Sequence, residues 1–101
     1  MISYLDKTKE RTLQTKVNNL LTNRGYFHLH ISDKFVSGIP DIFAWKDGRS
    51  YAIELKVGKN KPSKLQLYFL NKLAQQGVIT GVCYSVAEVK EILKGGDKNG
   101  S

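Results

Sequence analysis

The chain has 101 residues and carries 16 Lys plus Arg against 9 Asp plus Glu, giving a formal charge of +7 and a pI of about 9.6. So short a chain forms one domain, and 41% hydrophobic residues supply a core, which excludes wholesale disorder. MISYLDKTKE lacks the apolar segment of a secretory signal, no run reaches the roughly 18 apolar residues of a membrane span, and Cys83 has no disulfide partner, so a cytoplasmic protein with no membrane partner is expected.

Leu13, Val17, Leu20 and Leu21 share one face of a helix predicted from Leu5 to Arg24, with Gly25 as its C-cap. The alternation from Tyr26 to Ile31 predicts a strand with Phe27, Leu29 and Ile31 on one side and Tyr26, His28 and His30 on the other. Ser32 to Pro40 reads as a loop. Asp41 to Trp45 and Ser50 to Val57 read as a hairpin closed by Lys46-Asp47-Gly48-Arg49. The basic loop Gly58 to Pro62 leads to Ser63, a cap for a helix from Lys64 to Gln76 that ends at Gly77 and presents a broad apolar face of Leu65, Phe69, Leu70, Leu73 and Ala74. Val78 to Tyr84 is apolar almost throughout, which predicts a strand covered on both faces with Cys83 as a buried, inert thiol. Ser85-Val86-Ala87-Glu88 has the form of a capping box, so a last helix carries Val89, Ile92 and Leu93 inward and stops at Gly95-Gly96, leaving residues 95–101 as a flexible tail. The order helix, strand, hairpin, helix, strand, helix predicts a single α/β domain over residues 1–94 with a mixed sheet.

The chemistry concentrates in Gly38-Ile39-Pro40-Asp41 and, twelve residues beyond Asp41, Ile53-Glu54-Leu55-Lys56. In a strand Glu54 and Lys56 project from one face, and a hairpin brings Asp41 beside them. Two converging carboxylates repel unless a cation lies between them, and oxygen donors of this kind suit Mg²⁺ or Mn²⁺. Glu10 continues the inward face of the first helix, where a carboxylate is costly unless paired or bound to metal; the alternative is a solvated Glu10 in a frayed first turn, with Asp6 as the fallback acid.

These residues resemble the PD-(D/E)xK nuclease superfamily, and within it the virus-type replication-repair nuclease (VRR-NUC) branch. The likeness extends from the helix bearing Glu10, through Gly38-Ile39-Pro40-Asp41, Tyr51-Ala52-Ile53-Glu54-Leu55-Lys56 and Gln66, to the strand around Gly81 and the helix ending near Lys94. The resemblance implies a restriction-endonuclease-like fold in which Asp41, Glu54, the Leu55 carbonyl and Glu10 hold one or two Mg²⁺ or Mn²⁺ ions. Lys56 would orient the attacking water and stabilise charge on the phosphate, or act as base. Gln66 would support the site, although Ser63-x-x-Gln66 equally fits a capping box that merely satisfies the helix start.

Lys56, Lys59, Lys61 and Lys64 place four cations in nine residues beside this site, a natural seat for backbone phosphates, and Lys34 in the loop before Asp41 could approach the scissile one. Lys7, Lys9, Arg11 and Lys16 could extend the patch. His28 and His30 share a strand face but lack a third zinc ligand, Tyr68 points away from Gln66, and Phe43 and Trp45 read as packing residues. The expected activity is metal-dependent hydrolysis of DNA, branched or duplex. Likeness to Holliday junction resolvases suggests a homodimer cutting branched DNA in a bacterial or phage-infected cell. The alternatives are a monomeric nuclease for flaps, ends or nicks and a non-catalytic DNA-binding module.

Overall fold

Residues 4–96 are described in the computed structural model, so the part of the expected tail beyond Gly96 lies outside the described residues. The elements follow the expected order: α1 (Tyr4–Asn23), β1 (Phe27–His30), β2 (Ile42–Lys46), β3 (Arg49–Leu55), α2 (Lys64–Gln75), β4 (Ile79–Cys83) and α3 (Val86–Gly96). Among the described residues no helix is long and apolar enough to cross a membrane.

The sheet runs β1-β2-β3-β4, antiparallel in its first two pairs and parallel in the last, with α2 as the crossover between β3 and β4. Lys46 pairs with Arg49 across a two-residue turn in which Asp47 (φ 53°) and Gly48 (φ 79°) both take positive φ, the turn whose twist matches the strands it joins. Ile42, Ala44, Tyr51, Ile53, Leu55 and Cys83 line one face of the sheet and form the core with Leu13, Val17 and Leu21 of α1 and Val89 and Leu93 of α3. Burial pushes the Cys83 thiol up to about 12, in keeping with an inert side chain. Gly81 lets α3 lie directly on β4, because a Cβ there would stand 2.0 Å from Ile92 Cδ1.

Among the described elements, α2 covers the other face, packed against β4. β4 is covered by α3 on one face and α2 on the other, as expected, but it lies at the edge of the sheet and Cys83 is its one fully buried residue. The broad apolar face of α2 is only partly covered: Leu70 is buried, whereas Leu65 is 43% exposed. The register also decides which layer each side of β1 faces. The register pairs Phe27 with Trp45 and Leu29 with Phe43, so these side chains share the face that α2 leaves open, and Phe27 is 65% exposed. His28 turns toward α1 instead, its Nε2 2.9 Å from Thr22 Oγ1.

The ends of the helices follow their sequence signals with small offsets. Gly25 and Tyr26 donate to the carbonyls of Thr22 and Leu21, and Gly77 and Val78 to those of Ala74 and Leu73, satisfying groups that the helices leave open. At α3 the Glu88 N–H donates to Ser85 Oγ, but the Glu88 carboxylate accepts from Tyr84 rather than from the cap residue itself. Gly95 and Gly96 continue α3 instead of ending it, since glycine weakens a helix without forbidding it.

Candidate active site

Asp41 immediately precedes β2, and the chain before it is built to hold it there. Pro40 is fully buried, and Gly38, at φ +87°, lies so close to α2 that a Cβ would stand 2.8 Å from Leu65 Cγ and 2.9 Å from its carbonyl oxygen. The Asp41 carbonyl accepts from the Ile31 N–H at 2.7 Å, and its Oδ2 accepts from the Leu55 N–H at 2.8 Å. The carboxylate is thus locked across the hairpin onto the strand that bears Glu54. Both acids are buried, Asp41 6% and Glu54 2% exposed.

Each oxygen of Glu54 has a different environment. Oε2 accepts from Gln66 Nε2 at 2.9 Å and lies 3.4 Å from Lys56 Nζ. Oε1 is buried and accepts no hydrogen bond. Burial, reinforced by the Asp41 charge, pushes the Glu54 carboxyl up to about 7, even though Lys34 and Lys56 pull it down. A buried carboxylate oxygen without a donor is costly, and a hard divalent cation is the chemistry that removes the cost. Asp41 and Glu54 therefore fit Mg²⁺ or Mn²⁺ as ligands.

Gln66 resolves its two sequence readings by filling both. The Ser63 N–H donates to Gln66 Oε1 at 2.8 Å and the Gln66 N–H to Ser63 Oγ at 3.1 Å, which is the capping box, while Gln66 Nε2 reaches Glu54. The oxygen serves the helix and the nitrogen serves the site. Tyr68 is 54% exposed, away from the acids.

Glu10 does not join the pair. Among the described residues no third Asp, Glu, His or Cys completes a group that could hold a metal. The reason lies in the layers: α1 packs through Leu13, Val17 and Leu21 on the sheet face opposite Asp41 and Glu54, leaving Glu10 half-buried on that helix. The fallback acid Asp6 is instead near Gly58, where an added Cβ would stand 3.4 Å from Asp6 Oδ1.

Of the predicted phosphate contacts, Lys59, Lys61 and Lys64 are exposed on the loop and helix start that follow Lys56. That loop is tied down where the Tyr84 hydroxyl donates to the Asn60 carbonyl at 2.7 Å. Lys9 and Lys16 instead line a separate cleft between α1 and the start of α3, with Val57, Tyr84 and Ser85. Lys34, expected near a phosphate, reaches the acids themselves. Its Nζ is 2.6 Å from Asp41 Oδ1 and 3.9 Å from Glu54 Oε1. No periodicity marks a residue inside an irregular loop, so only its chemistry could have drawn attention to it. Phe43 and Trp45 stack with ring centroids 6.3 Å apart and Trp45 meets Phe27 at 5.4 Å, so the three rings pack on one another.

The VRR-NUC domain family model matches residues 5–87. A solved structure described as a VRR_NUC domain shares 23% identity, with a TM-score of 0.72 over 85% of this chain and 95% of its own, and so has the same fold. No curated protein matches the chain in sequence. A VRR-NUC domain implies a nuclease-type function with DNA as substrate. The matched span opens on α1, takes in Asp41, Glu54, Lys56 and Gln66, and closes at the start of α3; the chain belongs to the VRR-NUC domain family.

Proposed function

We propose that this protein is a metal-dependent endodeoxyribonuclease that hydrolyses phosphodiester bonds in branched DNA such as Holliday junctions and acts as a homodimer. The observation that carries the reading is the convergence of two buried carboxylates, Asp41 and Glu54, with Glu54 Oε1 left without a donor and Lys56 3.4 Å from Glu54 Oε2. Asp41 and Glu54, with the Leu55 carbonyl, would hold Mg²⁺ or Mn²⁺. A divalent cation bound there supplies an acidified water and positive charge for a substrate that is already anionic.

The protein's own groups do the remaining work. The Leu55 N–H fixes Asp41, and Gln66 fixes Glu54, so that both acids meet the substrate without reorganising. Lys56 stands at the rim with its side chain 16% exposed, able to hold a water by one N–H while its charge faces the phosphate. Lys59, Lys61 and Lys64 lie next along the chain and are free to take backbone phosphates, which supply affinity without reading bases.

Symmetric cutting of a four-way junction needs two sites related by a twofold axis, and one chain carries one. The uncharged row of Phe27, Leu29, Phe43 and Trp45, left open beside the site, supports association with a second copy. The test incubates the protein with a four-way junction, a flap and a linear duplex, with and without Mg²⁺ or Mn²⁺, beside Asp41→Asn. Paired incisions across the junction that vanish in Asp41→Asn support the reading. Flap cutting by a protein that sediments as a monomer replaces it with end processing, and binding without cutting replaces it with a DNA-binding module.

A further inference from the structure

Each carboxylate has one oxygen claimed by Leu55 or Gln66 and one left to Lys34 alone. Asp41 Oδ2 takes the Leu55 N–H, and Glu54 Oε2 takes Gln66 and faces Lys56. The other two, Asp41 Oδ1 and Glu54 Oε1, face a single group, the Lys34 ammonium, at 2.6 and 3.9 Å. A cation held by Asp41 and Glu54 would compete with this ammonium for the two acids.

The two lysines of the site differ in freedom. Lys56 follows β3 directly, and its N–H donates to the Cys83 carbonyl at 3.0 Å, so it continues the ladder to β4. Lys34 belongs to the irregular segment between β1 and β2, in which residues 32–37 are all exposed, and it reaches the acids only through its long stem. A tether of that kind can swing away without breaking secondary structure.

We infer that Lys34 is the resident counter-ion of the metal seat: its ammonium holds Asp41 and Glu54 together in the metal-free protein, and a divalent cation binds by displacing it. The displaced ammonium, 27% exposed even when docked, is then available to a DNA phosphate beside the seat. The inference rests on the metal-dependent reading above. It makes metal loading and phosphate binding one event, because the positive charge needed by the empty site is released only once the site is filled. Each state keeps the acids neutralised.

The test compares wild type with Lys34→Gln and Lys34→Met, and with Lys59→Gln as a control for the general loss of one nearby positive charge. Mn²⁺ is titrated by calorimetry without DNA, and thermal unfolding is followed in EDTA and in saturating Mn²⁺. Lys34→Gln is expected to bind Mn²⁺ about tenfold tighter than wild type, the order of one charge-assisted contact no longer competing. In EDTA its Tm falls below wild type by about 5 °C, and in Mn²⁺ the gap closes. Lys34→Met behaves alike, and Lys59→Gln shifts the Mn²⁺ affinity by less than about twofold. Equal or weaker Mn²⁺ binding by the Lys34 variants overturns the inference alone, as does equal tightening in Lys59→Gln. Binding by none of the proteins overturns the metal centre and this inference together.

Discussion

Glu54→Gln should make the metal-free protein more stable at pH 8, at the expense of its cation site. Glu54 is 2% exposed, and its carboxyl moves from 4.5 to about 7, first through burial and second through the Asp41 charge. A carboxyl whose pKa is higher in the folded state holds its proton more tightly there. Stability is therefore untouched below about pH 4.5, falls as pH rises toward 7, and is flat above it. At about 1.4 kcal/mol per pH unit, the full effect above pH 7 is about 3 kcal/mol. Gln keeps the shape and an acceptor for Gln66 but cannot ionise. Part of the gain is offset because Lys34 and Lys56 lose a partner, so a net gain of about 1–2 kcal/mol is expected at pH 8 and none at pH 4. Urea unfolding in EDTA at the two pH values measures both. In saturating Mn²⁺ the order should reverse, since only the wild type gains binding energy. A Glu54→Gln protein less stable than wild type in EDTA at pH 8 would refute the reasoning, because the buried charge would then be a net stabiliser.

Further substitutions separate the roles inside the site. Lys56→Ala should lower cleavage by about 10²–10⁴-fold while leaving Mn²⁺ affinity within a few-fold, measured by single-turnover kinetics and calorimetry. Ser63→Ala removes one half of the capping box and should cost about 1 kcal/mol with cleavage retained, whereas Gln66→Ala should lose similar stability and also slow cleavage, because only Gln66 also touches Glu54. Gly38→Ala meets both a positive φ and the Leu65 backbone, and should destabilise by about 1–3 kcal/mol in thermal unfolding. Replacing Lys59, Lys61 or Lys64 singly by Ala should reduce the salt slope of DNA binding by about one each, without changing preference among sequences.

The strand pair that brings Asp41 to Glu54 was legible because hairpin geometry is local. Asp47-Gly48 fixes the turn, the turn fixes the register, and the register brings Asp41 across from the strand that carries Glu54. Gln66 was legible as a cap because its partner Ser63 is three residues away; its bond to Glu54, twelve residues back, was visible only as family likeness. Glu10 was misplaced because a helical stripe shows which way a helix faces but not which side of the sheet the helix covers. The same limit applies to β1: alternation separates its two faces without saying which one α1 will bury.

The sequence by itself therefore determined the element order, the cap of α2, the hairpin and the convergence of Asp41 with Glu54 and Lys56, all of which follow from local geometry. Only the tertiary structure decided that α1 and α3 share one face of the sheet, that β4 lies at an edge, and that Lys34 reaches Asp41 and Glu54. Those outcomes depend on how whole layers stack to bury apolar surface, and on where an irregular loop comes to rest once they have. Neither is encoded in the spacing of residues along the chain.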